Sequence, residues 1–465
     1  MDNLKNKKIT VMGLGLHGGG VACVNWLVKH GAIVTVTDLK SVEILEQSLK
    51  KIKKQKIKLV LGRHREIDFK TANMIVQNPG VPRESKYLKI ARNSGIFIEN
   101  EASLFFKNCP APIIGVTGTR GKSTTTSLVH AILKAGWHQG KVWLAGLPQR
   151  PMLNILDQIK PNDFVVLELS SWQLEILGQQ KLSPKVAVLT NIYPDHLNRY
   201  RSMTDYAKAK ENIFKFQNNS DFVVLNFDNF LTRKMGKRVI SQRFWFSKKY
   251  FADQQGSFVK GNYVYFRRND KVDKLVNWQA SKLIGQHNLE NILAASTVAG
   301  IFEIKPKIIS QVLRNFSGLP SRLELIRTVK GVKYINDTTA TTPDGTIAAL
   351  KALGRNKKIV LIAGGETKNI PNAKYNELAG WIKKTTNAVV LFSGRGSDQL
   401  LPKLKKLKFK PLVFGINDMG KAVSLARSLA KNGDIVLLSP ACASFNLFNN
   451  EFDRGDQFNA LVEGL

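Results

Sequence analysis

Residues 113–116 form a short apolar run that leads directly into Thr117-Gly118-Thr119-Arg120-Gly121-Lys122-Ser123. A strand, a glycine loop and a helix in that order constrain the surrounding fold strongly, because such a loop is built at the carboxyl end of a buried parallel strand. Glycines let backbone N–H groups close on phosphate oxygens, and the helix that follows adds the positive potential of its N-terminus. In this reading Gly115, Thr117, Gly118, Thr119, Gly121 and Thr124 belong to the phosphate cradle, Lys122 reaches the β- and γ-phosphates, and Ser123 holds Mg2+. Val116 occupies a position where the strict pattern has glycine or alanine.

The same punctuation recurs on both sides of the loop. Residues 9–12 read as a strand, 13–20 as a glycine-rich turn, 21–30 as a helix and 33–37 as a strand ending at Asp38; 59–61 and 74–76 are further strands. Cys109-Pro110-Ala111-Pro112 reads as a linker. Residues 164–169 and 186–190 are apolar runs of the kind buried on both faces of a parallel sheet. Residues 222–266 read as β-rich and aromatic, and 288–299 as a helix. Gly318-Leu319-Pro320 marks a second boundary, beyond which 334–335, 359–363, 389–392 and 435–438 are strands alternating with helical stretches. The fold class expected is α/β with three domains: 1–108, Rossmann-like; 109–317, a central P-loop mononucleotide-binding parallel sheet; and 318–465, again Rossmann-like.

At 465 residues the chain is too long for one hydrophobic core, and with 43% hydrophobic and 23% charged residues it has the composition of a soluble globular protein. The 70 Lys and Arg against 35 Asp and Glu give a formal charge of +35. Nucleic acid or an anionic membrane surface as partner is one reading of that charge; the lysines are scattered and not paired with regular stacking aromatics, which favours compositional bias, with some contribution from anionic small-molecule substrates. Three cysteines, Cys23, Cys109 and Cys442, form no CxxC pair, so neither a disulfide framework nor a zinc site is expected and a reducing cytoplasm fits. No apolar stretch approaches the roughly 20 residues of a membrane helix.

Other residues carry chemistry. Gly13-x-Gly15-x-x-Gly18 follows a strand, with Asp38 at the end of the next; this is the dinucleotide fingerprint or a relative that binds a nucleotide diphosphate, with an ordinary tight turn as an equal reading. Glu168 closes a buried strand, where doubly wound sheets place ligands. Asp195 and His196 follow another strand, and Lys210 lies on a helical stretch beyond them. A hard Mg2+ ion takes oxygen ligands and tolerates an imidazole.

Together, residues 115–126, 168–173, 191–200, Gly285-Gln286-His287-Asn288, 318–324 and 334–342 resemble the Mur ligase family, in the same order and over nearly the whole chain. Gly13 to Gly18, Asn78-Pro79-Gly80 and Ser439-Pro440-Ala441-Cys442-Ala443-Ser444, followed by Arg454-Gly455, are most similar to the branch that joins glutamate to UDP-N-acetylmuramoyl-L-alanine. The resemblance implies a cytoplasmic, monomeric, ATP- and Mg2+-dependent amide-forming ligase of peptidoglycan precursor synthesis, working through an acyl phosphate, with no nucleic acid and no stable membrane insertion. It implies Lys122, His196 and Lys210 as catalytic residues, with Lys210 carboxylated by carbon dioxide. Ser123 and, for a second ion, Glu168, His196 and Lys210 would serve Mg2+. Asn288 and Arg322 would contact ATP, with Asp337 near its ribose. Thr341, Lys368 and Ser444 would receive glutamate. Ser170 and Gln173 would lie along the muramoyl substrate, and Gly15, Leu16, His17 and Asp38 would hold its uridine diphosphate.

The chain departs from the family pattern in four places. Leu147 stands where the family has an asparagine, Thr339 where it has a lysine, Ser321 where a histidine precedes the ATP arginine, and Glu451 where a phenylalanine is expected, the aromatic being Phe452. D- and L-glutamate therefore stay open as alternatives, as does another amino acid. Taken without the resemblance, Lys368 reads as a solvated loop lysine, Ser444 as the cap of a following helix and Cys442 as a small buried residue. A basic nucleic-acid-binding protein is the alternative of another class.

Overall fold

Each short apolar run that ends in glycine or a polar residue pairs with its like. In the computed structural model, which describes residues 4–52, 57–195, 199–283, 285, 287–354, 358–368 and 370–465, the first such set is β1 (Lys8–Met12), β2 (Ile33–Asp38), β3 (Ile57–Leu61), β4 (Met74–Gln77) and β5 (Phe97–Glu99). They form a parallel sheet in the order β3-β2-β1-β4-β5. The order reverses between β1 and β4, which opens a crevice at their carboxyl ends. The glycine turn leaves β1 at that crevice. The helix Gly19–Lys29 then starts so close to the turn that a Cβ on Gly20 would lie 2.1 Å from the Leu14 carbonyl oxygen.

The second set is β6 (Ile113–Thr117), β7 (Val142–Ala145), β8 (Phe164–Glu168), β9 (Val186–Leu189), β10 (Phe222–Asn226), β11 (Gln242–Ser247), β12 (Gly256–Lys260), β13 (Tyr263–Arg268) and β14 (Lys271–Asn277). Their order is β14-β13-β12-β11-β10-β9-β6-β8-β7. All five residues of β6 are buried, and β6 pairs in parallel with β8 and β9, so the glycine loop issues from the middle of the sheet. The sheet is not wholly parallel as the sequence suggested. β13 runs antiparallel to both β12 and β14. The cause is local: Gly261-Asn262 and Asn269-Asp270 are two-residue turns, with φ of 60° at Gly261 and 53° at Asn269, and a turn that short joins only antiparallel neighbours. The segment read as β-rich also contains a helix, Phe230–Gly236.

The third set is β15 (Glu324–Val329), β16 (Val332–Asn336), β17 (Ile359–Gly364), β18 (Thr386–Phe392), β19 (Leu412–Ile416) and β20 (Ile435–Leu438), in the order β15-β16-β20-β17-β18-β19, with only β15 antiparallel. Alternate residues serve opposite faces. Leu361 packs with Ile347, Tyr375, Leu378 and Leu400 on one side, and Val360 and Ile362 pack with Met419, Val423 and Phe458 on the other. Helices therefore cover both faces, which is why these strands read as continuous apolar runs.

The chain divides into two compact units: residues 1–280 with 289–313, carrying the first two sheets, and residues 281–288 with 314–465, carrying the third. No described helix is long and apolar enough to cross a membrane. Leu361 is wholly buried in the third sheet. Replacing it with alanine is expected to cost about 3 kcal/mol, read as a lower urea midpoint at unchanged slope.

Candidate active site

The end of β6 carries the loop on which the first unit is organised. Gly118 has φ of +156°, and a Cβ there would lie 1.8 Å from the Thr190 hydroxyl oxygen; Gly121 has φ of +79°, and a Cβ there would lie 2.2 Å from Asn291 Oδ1. Neither position has room for a side chain. The loop is fixed from the end of the neighbouring strand: Thr119 N donates to the Asn191 carbonyl at 2.9 Å, Arg120 N to Asn191 Oδ1 at 2.9 Å, and the Thr190 hydroxyl to the Arg120 carbonyl at 2.7 Å. Thr125 Oγ1 donates to Asn291 Oδ1 at 3.1 Å, so the helix His287–Ile301 also holds the loop helix. Lys122 folds back over the loop to donate to the Thr119 carbonyl at 3.3 Å, and Ser123 is buried at the start of the helix Lys122–Gly136. The N–H groups of that first turn face the loop.

Two titratable groups stand beside the loop. Lys210, on the helix Met203–Lys215, is only 2% exposed and donates to the Gly118 carbonyl at 2.8 Å. Burial, reinforced by the charge of Lys122, holds its pKa well below the usual ammonium range, while Asp195 and Glu168 oppose that shift. Glu168 ends β8 beside β6, and its Oε2 is buried with no hydrogen-bond partner. An orphaned buried carboxylate oxygen at the mouth of a phosphate loop fits a hard cation. His196 lies outside the described residues, and among the described residues no three His, Cys, Asp or Glu side chains gather as ready metal ligands.

Sequence reasoning did not single out Tyr206 or Asn291. Tyr206, four residues before Lys210 on one helical face, lies under the lysine at 4.8 Å and reaches Thr119 Oγ1 at 3.2 Å. Its phenol is pushed up by burial. Asn291 is one turn beyond Asn288, and the i, i+3 spacing was the available signal.

At the first sheet's crevice Gly13, Gly15 and Gly18 all have positive φ, from 66° to 89°. Asp38 is buried, and its carboxylate is taken by backbone donors: Oδ2 accepts from Leu14 N and Gly15 N at 2.9 and 3.2 Å, and Oδ1 from Lys40 N at 2.9 Å. It therefore shapes the turn, while Leu16 and His17 are exposed on its crest. Ser170 and Gln173 form a reciprocal cap at the start of the helix Ser171–Gln179, directly after Glu168-Leu169.

In the second unit, Asp337 follows β16. Its Oδ2 accepts from the Ser439 hydroxyl at 2.7 Å and its Oδ1 from Leu323 N at 3.2 Å; burial pushes its pKa up to about 7. Lys368 is exposed and donates to Thr341 Oγ1 at 2.8 Å, bringing two sequence-selected residues together. Ser444 is 1% exposed and its hydroxyl has no partner. It caps no helix: the next one, Glu451–Glu463, starts later and is capped by Asn450. Cys442 is buried, as read, and its thiol is pushed up to about 12. Asn288 is buried near the start of its helix, and Arg322 is exposed. Arg454 is fully buried and donates to Thr338 Oγ1, the Thr338 carbonyl and the Cys442 carbonyl at 3.0, 2.9 and 3.2 Å.

Three family models match in sequence order: a Mur ligase MurD-like N-terminal domain over residues 7–99, a Mur ligase middle domain over 116–299, and a Mur ligase glutamate ligase domain over 321–442. The chain belongs to the Mur ligase family. It is accordingly an ATP-dependent ligase that forms an amide bond. Among Mur ligases, it is 42% identical to a UDP-N-acetylmuramoylalanine–D-glutamate ligase of Roseiflexus sp. and 35% identical to one of Alkaliphilus metalliredigens, each alignment spanning 99% of both chains. Similar solved structures are a UDP-N-acetylmuramate–alanine ligase of Thermotoga maritima (21% identical, TM-score 0.64, 99% and 100% of the chains covered) and a MurF ligase of the same organism in complex with ADP (19%, 0.59, 99% and 96%). At these identities they show the shared three-sheet fold.

Two outcomes follow from this geometry. Gly118→Ala is expected to weaken ATP binding at least about 100-fold by calorimetry, because its side chain collides with Thr190 at a φ that alanine resists. Asp337 binds a proton more tightly folded than unfolded, so stability falls as pH rises from about 4 to about 7. Asp337→Asn is therefore expected to raise unfolding free energy on the order of 2–4 kcal/mol at pH 8, with the gain vanishing below pH 4.

Proposed function

We propose that this Mur ligase joins D-glutamate to the L-alanyl carboxylate of UDP-N-acetylmuramoyl-L-alanine in peptidoglycan precursor synthesis, in the cytoplasm and as a monomer. The observation that carries this reading is the pairing of a phosphate loop with a buried, charge-suppressed Lys210 and an unpartnered Glu168 at its mouth, in a chain whose full-length relatives bear that activity in their names.

In this scheme residues 1–108 take the nucleotide end of the substrate, 109–317 take ATP, and 318–465 take the amino acid. Leu16 and His17 meet the uridine diphosphate from the turn that Gly15 and Asp38 shape, and Ser170 and Gln173 line the muramoyl path. Gly115, Thr117, Gly118, Thr119, Gly121 and Thr124 hold the phosphates, Asn288 and Arg322 contact the nucleotide, and Asp337 faces its ribose. Lys122 swings from the Thr119 carbonyl to the β- and γ-phosphates. The substrate carboxylate attacks the γ-phosphorus, giving an acyl phosphate and ADP. The amine of glutamate, held by Thr341, Lys368 and Ser444, then attacks the acyl carbon; inorganic phosphate leaves and the amine loses a proton. Lys122 neutralises charge that grows on the transferring group, an effect of position rather than covalent chemistry.

Ser123 would hold one Mg2+ ion, and Glu168, His196 and Lys210 a second; bound there, the ions would supply charge neutralisation on the phosphate oxygens. For the lysine to act as a ligand its amine must add to carbon dioxide, forming an N–C bond and releasing one proton. Only an uncharged amine can do so, and the depressed pKa of Lys210 supports that role.

Phosphate release from ATP with UDP-N-acetylmuramoyl-L-alanine is expected to depend on D-glutamate, to be near background with L-glutamate or no amino acid, and to fall at least about 1,000-fold in Lys122→Ala. Release driven by L-glutamate alone would replace the amino acid in the reading. Release with neither, or full turnover in Lys122→Ala, would overturn it.

A further inference from the structure

In the second unit the helices Pro343–Leu353, Asn372–Thr385 and Arg395–Lys406 pack side by side against one face of the third sheet. Parallel strands joined by such helices bring the helix C-termini to the end of the sheet where strands begin. The contacts agree: a Cβ on Gly354 would lie 2.4 Å from the Thr385 side chain, and Val389 N donates to the Pro411 carbonyl at 3.2 Å. Lysine crowds that end. Lys351 closes the first helix, Lys383 and Lys384 the second, and Lys405 and Lys406 the third, with Lys408 and Lys410 in the turn that follows. All seven are exposed, and none has an ion-pair partner among the described residues. The carboxylates of these helices, Asp344, Glu377 and Asp398, lie in their N-terminal halves, and Lys374 takes the first two. Asp434, which starts the next strand, is buried and used by Lys431 N and Asn387.

Aromatic rings sit among these cations. Lys351 and Lys384 stand 4.8 and 5.0 Å from the Trp381 ring centre, and Lys405 stands 4.9 Å from Phe414, a half-exposed residue of the edge strand β19. We propose that this lysine-rich end docks on an anionic membrane surface. Cations balanced by no carboxylate suit the diffuse negative potential of a lipid leaflet, and aromatic side chains beside lysines suit its interface. Nucleic acid fits less well. Trp381 is covered by ammonium groups that would have to move before a base could stack. Lys368, Thr341 and Asp337 follow the carboxyl ends of β17 and β16, the opposite end of the sheet, so docking leaves that end open.

The test is sedimentation of the full chain with vesicles, in the absence of substrates, so that its outcome is independent of the ligase assay. At about 0.1 M salt the chain is expected to partition onto phosphatidylcholine vesicles containing phosphatidylglycerol, not onto pure phosphatidylcholine, and to be released at about 0.5 M salt. The variant Lys383→Glu, Lys384→Glu, Lys405→Glu, Lys406→Glu is expected to bind at least about tenfold more weakly, with ligase turnover in solution unchanged. A control with the same change in net charge on exposed lysines of the first unit, Lys51→Glu, Lys58→Glu, Lys89→Glu, Lys260→Glu, is expected to lose less than about twofold. Equal losses in both variants would mean that the +35 charge alone drives adsorption and would overturn the proposal. So would absence of vesicle binding by the unaltered chain, or single-stranded DNA binding that only the first variant loses while vesicles are ignored.

Discussion

The close approach of Gly118 to Thr190 decides most of what the first unit can do. A phosphate cradle needs backbone N–H groups pointing into empty space, and that space exists only if neighbouring side chains brace the loop from behind. Thr190 and Asn191 do so because β9 ends beside β6 in register, Thr117 lying across from Leu189. The strand order β9-β6-β8 then puts Glu168 on the other flank of the loop. The helix carrying Lys210 delivers its amine to the Gly118 carbonyl. One close contact thus links three strands, the loop and two ionisable groups.

Burial of those groups costs free energy that the fold recovers elsewhere. A lysine as buried as Lys210 is destabilising in its charged form, and Glu168 keeps an oxygen unsatisfied. Neither is placed as a structural ion pair would be, since Lys210 Nζ meets a carbonyl rather than a carboxylate. Sites that tolerate such unfavourable terms are where ligands and chemistry are found. Asp337 repeats the pattern in the second unit, where a carboxyl held near neutrality is satisfied by Ser439 and Leu323 N. Asp38 shows the contrary case: its three backbone partners make it part of the scaffold that shapes the turn around Gly15, whatever the ligand.

The fold was legible in the sequence wherever a strand was buried on both faces, because β6, β17 and β20 read as unbroken apolar runs. It was less legible at β13 and β14, whose antiparallel pairing is set by two-residue turns rather than by strand composition. The helix Phe230–Gly236 was hidden inside an aromatic stretch that reads as strand. Of the site, the loop was fully readable, since its glycines and lysine are contiguous. Tyr206 and Asn291 were not, because each acts across a long stretch of chain and looks like an ordinary helical residue until the helix is docked. Ser444, taken without the resemblance, reads as a helix cap for the same reason: its local sequence gives it a bland role, whereas its neighbourhood leaves a buried hydroxyl unpaired.

Three of the four departures from the family pattern turn out to be one. Ser321, Thr339 and Glu451 are far apart in sequence, yet Thr339 donates through both N and Oγ1 to the Ser321 carbonyl at 3.3 and 2.9 Å. The adjacent Thr338 hydroxyl donates to the Glu451 carbonyl at 2.9 Å and accepts from Arg454 Nε at 3.0 Å. Gly455 closes the group, since a Cβ there would lie 2.6 Å from Thr338 Cγ2 and 3.3 Å from the Ser321 hydroxyl. Side chains in mutual contact change energy together, so a swap at one position alters what its neighbours tolerate. Apart from the Thr339 hydroxyl, the bonds that hold the cluster come from backbone groups, the Thr338 hydroxyl and the Arg454 guanidinium, which do not depend on the side chains at 321, 339 or 451. A lysine, a histidine and a phenylalanine can therefore be exchanged as a set while the buried arginine and the strand ends it ties remain in place. Leu147 is the exception. It lies in the tight turn closed by Arg150 N donating to the Leu147 carbonyl at 2.9 Å, and none of the hydrogen bonds named above includes it.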